Sequence, residues 1–309
     1  MSNVVTLDND SFDTATGSIK WDEKLVDSLA RRKAVIMIGA GVSQNSINKD
    51  KKRPATWVNF LKICCDTMAN DSQKEFILDL INKEDFLTAC ELIKLKIGDK
   101  IFYEHIINEY KSPGYDHAKI HEYIFNLDAS IVISPNFDCI YENFAIHQTR
   151  GSIIIKPYTS KDIAKYIRGG NNRLIIKSHG NADTPEELIF TRKDYANARV
   201  NHALFYEILK SLALTHTFLF LGCGINDPDI RMIFEDIRFA YGNTLPEHYM
   251  TIPKHEAKEG ILNLLNSLTN INFYEYSHEN CHIDLTLSLK DLCDQVEEAR
   301  EKIASFRKW

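Results

Sequence analysis

The chain has 309 residues, 44% of them hydrophobic, and carries 37 Lys and Arg against 43 Asp and Glu for a formal net charge of -6. That apolar content supplies a sizeable core and excludes a disordered or fibrous chain; the acidic balance shows no strong nucleic-acid signal, since the short clusters Arg31–Lys33 and Lys49–Arg53 are too small to release many counterions. Seven Cys, none in C-x-x-C spacing, offer neither a zinc ribbon nor a redox dithiol, so no metal is expected.

Residues 1–17 are polar, without hydrophobic periodicity or an apolar signal-peptide region, and read as a flexible N-terminal arm or a segment that orders against a neighbouring subunit. Residues 18–309 read as one α/β domain. From Trp21 to Arg32 the spacing of Leu25, Val26 and Leu29 predicts a helix. The continuous apolar run Ala34–Ile38 predicts a buried parallel strand. Ser46–Pro54 is a polar loop. Residues from about 56 to 112 form a helical insertion, with stripes at Trp57, Phe60 and Leu61, at Phe76, Leu80 and Ile81, and at Phe86, Ala89, Cys90, Ile93 and Ile97. The turn residues Lys111-Ser-Pro-Gly114 close it.

Strands and helices then alternate. Strands are expected at Ser130–Ile133, Ser152–Lys156, Arg173–Lys177, Glu187–Phe190, Thr217–Leu221, His248–Ile252 and Ile271–Tyr276. Helices are expected at His117–Phe125, Phe137–Gln148, Asp194–Leu214, Asp229–Ala240, Glu256–Leu268 and Ile283–Phe306. This alternation predicts a Rossmann-like, mostly parallel sheet with helices on both faces. No apolar run approaches the ~20 residues of a membrane span, so a cytoplasmic protein with no membrane contact is expected.

Four motifs sit just past predicted strands. Gly39-Ala40-Gly41-Val42-Ser43 lets backbone N–H groups approach a diphosphate, with the Ser43 hydroxyl beside them, although Gln44 stands where a full G-x-G-x-x-G has its third glycine. In Ser134-Pro-Asn136-Phe-Asp138, Asn136 suits a ribose hydroxyl or a water, and Asp138 either meets the ligand or caps the next helix. His179, followed by Gly180, is placed for acid–base work or for ribose hydroxyls. Gly222-Cys-Gly224-Ile-Asn-Asp227 makes a glycine turn whose Asp227 caps a helix or touches ribose. Each is also explained by an ordinary tight turn. Their convergence on one edge of a parallel sheet favours a ligand crevice.

The order G-A-G-x-S, strand-end N-x-D and strand-end H-G resembles the SIR2 (sirtuin) family, over about Ala34 to Tyr276. The stretch FLFLGCGINDPDI and the Pro54–Trp57 segment are similar to its prokaryotic branch, which includes NAD+-consuming effectors of antiphage defence. Two departures matter: the zinc ribbon of the deacylases has no counterpart, and Pro135 stands where the family carries Gln. The resemblance implies an NAD-binding domain over residues 18–309, with NAD+ as substrate rather than resident cofactor. It implies Asn136 and His179 as catalytic residues. Gly39, Ala40, Gly41, Ser43, Asn136, Asp138, Gly222, Gly224 and Asp227 would bind the dinucleotide. The implied activity is a gated NAD+ glycohydrolase giving nicotinamide and ADP-ribose or a cyclic isomer. Homo-oligomerisation, a higher-order assembly or a partner defence protein would supply the gate. The rival expectations are a non-catalytic NAD+ or ADP-ribose sensor, a deacylase or ADP-ribosyltransferase, and a scaffold.

Overall fold

In β1 (Ala34–Ile38) all five side chains are buried, because the strand is covered on both faces. Val35 and Met37 enter one core; Ala34, Ile36 and Ile38 enter another. The structure, a computed structural model, describes residues 15–68, 73–168, 173–224 and 227–306. Most of the expected N-terminal arm, residues 1–14, therefore lies outside the described residues.

Six further strands join β1: β2 (Ile131–Ser134), β3 (Ile154–Pro157), β4 (Leu174–Lys177), β5 (Thr217–Leu221), β6 (His248–Pro253) and β7 (Ile271–Tyr276). Every pairing is parallel, in the order β3-β4-β2-β1-β5-β6-β7. Val35 is the hub of the register, opposite Ile131 on one side and Phe218 on the other. From β1 the chain goes to β2, passes to the edge strand β3, comes back to β4 between them, and then places β5 on the other flank of β1. That reversal is a topological switch point, where open α/β sheets form a crevice.

On one face α1 (Glu23–Ala30), α6 (Lys119–Asn126), α7 (Ile140–Gln148) and the long α13 (Glu279–Phe306) cover the sheet. The other face carries the short α8 (Ile163–Arg168), then α9 (Arg192–Asn201), α10 (Ala203–Thr215) and α11 (Pro228–Tyr241). α12 (Glu259–Thr269) links β6 to β7 and packs beside α11. A one-turn α2 (Ala40–Ser43) follows β1. Between it and α6, α3 (Trp57–Asp66), α4 (Lys74–Asn82) and α5 (Phe86–Ile106) enclose a third core of their own. α5 is interrupted at Gly98, whose φ of 79° no helix accommodates.

Three departures from the sequence expectation have local causes. Glu187–Phe190 is not a strand: Pro185–Glu187 is a 3-10 turn, and residues 188–190 are irregular chain held by the Ile189 N–H on the His179 carbonyl, 3.1 Å. The apolar character of this segment serves side-chain burial instead, with the Phe190 ring 4.8 Å from Phe137 and 5.6 Å from Trp57. The expected helix 194–214 breaks at His202 into α9 and α10. α8 had no expectation, being too short for a period to register.

The chain's entry is clasped to α13. Gly17 N–H donates to Asp291 Oδ2 at 2.7 Å, and Trp21 Nε1–H donates to the Ser288 carbonyl at 2.8 Å. α13 spends much of its apolar face inside the chain, against α1 and α6.

Two buried histidines contribute to the acid response. Phe218 N–H donates to His248 Nδ1 at 3.1 Å, which fixes that nitrogen as an acceptor. Burial depresses His248 to about 3, and burial likewise depresses His121 to about 4, from an ordinary 6.5. Between pH 6.5 and 4 the unfolded chain thus binds protons the folded chain refuses, so stability is full above 6.5 and falls as the pH drops. Each histidine should cost about 1.4 kcal/mol per pH unit across that window. Urea unfolding measured from pH 7 to 5 should show this slope, and His248→Asn should remove about half of their joint contribution.

Candidate active site at the carboxyl ends of four strands

The turns after β1 and β5 touch backbone to backbone. Gly39 N–H donates to the Leu221 carbonyl at 2.9 Å, and Gly41 N–H donates to the Gly222 carbonyl at 3.0 Å. A Cβ on Gly41 would meet Gly222 Cα at 2.9 Å, and one on Gly222 would meet Val42 N at 2.6 Å. Gly222 also holds a φ of +60°. These glycines answer a steric demand before any ligand is considered.

Asn136, just past β2, is tied to the same turn. Its Nδ2 donates to the Gly39 carbonyl and to Ser43 Oγ, both at 3.0 Å. The side chain is buried and held by these two bonds. Ser43 serves to hold Asn136 and does not itself line the cleft.

His179 follows β4, is buried, and stands edge-to-face with Tyr195 at 5.2 Å. Its Nε2 lies 3.6 Å from Asp229 Oδ2, a charge-pair distance rather than a hydrogen bond. Asp229 in turn accepts from Tyr206 Oη at 3.0 Å and Arg199 Nη1 at 3.3 Å. Burial opposes the imidazolium, but the carboxylates of Asp229 and Asp227 outweigh it and hold His179 above its ordinary pKa. Asp227 caps α11 by accepting the Asp229 and Ile230 N–H groups at 3.0 and 3.1 Å, and burial pushes its own pKa up.

Gly39, Ala40, Asn136, His179, Gly224 and Asp227 therefore line one cleft, as four strand ends converge. Gly41 and Gly222 lie behind it, in the turn contact. Asp138 stands apart: its Oδ1 accepts the Ile140 N–H at 3.1 Å in the turn that enters α7, and its carbonyl accepts from Lys177 Nζ at 2.7 Å. The remaining walls are aromatic, with Trp57, Phe86 and Tyr110 from the helical layer joined by Phe137 and Tyr195. The space of about 210 Å³ is below the ~300–1,000 Å³ of typical small-molecule pockets. Chemically it is a slot for a planar ring, with an amide, an imidazole and a carboxylate on its polar edge.

Tyr195, Arg199 and Tyr206 carried no signal in the sequence, because they arrive from helices rather than strand ends. Asp229 was visible only as a helix start. Among the described residues no group of three His, Cys, Asp or Glu side chains is placed to hold a metal ion, and no helix is long and apolar enough to cross a membrane.

Comparison with known proteins bears on this cleft. Residues 130–273 match the family model of the SIR2-like domain. The chain is 24% identical over 233 residues to an NAD(+) hydrolase ThsA of Acinetobacter baumannii (strain 532279), covering 75% of this chain and 45% of that protein. It is 24% identical over 234 residues to an NAD(+) hydrolase ThsA of Enterococcus faecium, with 75% and 45% covered. Similarity to defense-associated sirtuin 2 of Bacillus subtilis is 22% over 219 residues, with 70% of this chain and 20% of that protein covered. The chain thus spans about half the length of the ThsA proteins it matches.

The turn contact can be tested at two glycines of the same loop. Gly222→Ala should lower unfolding free energy by at least the ~1–3 kcal/mol of a strained left-handed residue. Gly224→Ala, whose Cβ would meet nothing within 4 Å, should stay within about 0.5 kcal/mol of the parent in the same urea titration.

Proposed function

For a chain that carries a SIR2-like domain and is related to the family's defence-associated members, we propose that the cleft binds NAD+ and hydrolyses its nicotinamide–ribose bond. The observation that carries this reading is the meeting of Asn136 and His179 in a cleft with aromatic walls, beside the close-packed glycine turns of β1 and β5.

The aromatic slot takes the nicotinamide ring. Ala40 lies toward the diphosphate, and any larger side chain at 39 would collide with the Gly222 carbonyl. Gly224 and Asp227 lie toward the adenosine side of the mouth. Cleavage breaks the C1′–N bond, and its electron pair returns to the pyridinium nitrogen, giving neutral nicotinamide. Asn136 Oδ1 positions the water or the ribose hydroxyl. Water adds to C1′, one proton is lost, and His179 accepts it or orders the ribose hydroxyls that stabilise the cationic transition state. The products are nicotinamide and ADP-ribose; attack by an internal group in place of water would give a cyclic isomer.

An enzyme of this kind drains its cell of NAD+ if it runs unchecked, so its activity needs a gate. Homo-oligomerisation or a partner protein is the form we favour for a defence effector. Exposed apolar side chains such as Phe239 and Leu264, 76% and 57% accessible, support an association surface.

Nicotinamide release from NAD+, measured by chromatography, tests the reading. Asn136→Ala and His179→Ala should each lower the rate by on the order of 10²–10⁴. Wild-type protein that binds NAD+ or ADP-ribose without releasing nicotinamide would point instead to a sensor. Failure to bind either ligand would overturn the site assignment.

A further inference from the structure

Two aspartates two residues apart stand beside His179, and they do different things. Asp227 lines the cleft, and its carboxylate is occupied with capping α11. Asp229 does not line the cleft. It borders a small space behind the imidazole, among Met37, Phe205 and Phe218. A carboxylate buried in apolar surroundings is costly unless it is partnered. Here three elements supply partners: Tyr206 from α10, Arg199 from α9 and His179 from the end of β4. The side chains of Asp229 and His179 are each only 7% exposed.

We propose that Asp229 is the positioning residue of this site, holding the imidazole of His179 with Nε2 turned toward it and Nδ1 presented to the cleft. The ring cannot rotate freely: Tyr195 stands against it edge-to-face at 5.2 Å, and Ile189 N–H pins the His179 carbonyl. Arg199 and Tyr206 keep Asp229 from swinging toward solvent. With Nε2 facing the Asp229 carboxylate at 3.6 Å, Nδ1 is the nitrogen that meets a ribose hydroxyl or a water. When it takes a proton, the carboxylate behind stabilises the resulting imidazolium. Asp227 faces the ring from the cleft side and adds to that field. Lys177, two residues earlier on β4, opposes it, but its ammonium is turned away to Glu142 at 2.9 Å.

This role takes its reaction from the NAD+-cleaving reading above, so the test has one measurement that does not depend on activity. The His179 Cε1–H resonance, assigned by its absence in His179→Gln, is titrated by NMR in the wild type and in Asp229→Asn. The substitution should move the midpoint to lower pH. It should also lower kcat for nicotinamide release by on the order of a hundredfold with KM little changed, and move the acid limb of the rate profile to lower pH. Asp229→Glu should restore part of both. If Asp229→Asn fails to fold, Tyr206→Phe, which removes one hydrogen bond from Asp229 and keeps the ring, should move the midpoint the same way by less. An unmoved midpoint in a folded variant overturns the proposal. A wild type that releases no nicotinamide would instead count against the NAD+ reading, while the titration would still decide the role of Asp229.

Discussion

Backbone packed on backbone, where the turn after β1 meets the turn after β5, governs the geometry of the cleft. Gly41 and Gly222 approach so closely that neither tolerates a Cβ, and the Gly39 and Gly41 N–H groups are both spent across the contact. Asn136 is then hung from the same turn by two bonds of 3.0 Å. Three strand ends are thereby locked into one rigid corner. His179 enters from a fourth strand and is locked separately, by α9, α10 and α11. Asn136 and His179 are thus held in the cleft by different sets of contacts.

The chain just past β2 and β4 also divides the chemistry into two chambers. On the β2 side Asn136 faces the cleft, while Cys139 and Glu142 border a second, more polar cavity of about 360 Å³. On the β4 side His179 faces the cleft while Lys177 faces the second cavity. Tyr110 and Phe137, edge-to-face at 5.7 Å, form the shared wall. Lys177 is the ion that keeps this arrangement together. Burial works against its charge, but Glu142 outweighs that and holds its pKa raised, while its Nζ also binds the Asp138 carbonyl at 2.7 Å. Removing either partner alone leaves a buried charge uncompensated, at a cost of about 3–5 kcal/mol.

Much of the architecture was legible because parallel strands buried on both faces leave continuous apolar runs; β1 and β5 fall on the expected residues. The same logic failed at Glu187–Phe190, since an apolar run also marks chain that plugs a core without pairing. At the site, residues just past a strand were readable, because topology alone brings strand ends together. The sequence could not separate the glycines that line the cleft from those that brace it. It also could not tell whether Asp138 meets a ligand or, as its bond to the Ile140 N–H shows, braces the turn into α7, since both roles place an acid just past a strand. Asp229 and its partners depend on how α9, α10 and α11 pack, which no local pattern encodes.

The clasp between Gly17 or Trp21 and α13 joins positions more than 260 residues apart. β1 likewise waits for β5, as Ala34 pairs with Thr217. Such long-range closure is slow and comes late. On a ribosome, a nascent chain that has emerged only as far as β4 already displays the Gly39 turn, Asn136 and His179. It still lacks the β5 turn that seats the first two and the α11 carboxylate behind the third. Its central strand is also unflanked on one side. Catalysis of the proposed kind would therefore have to wait until β5 and α11 have emerged and folded against β1.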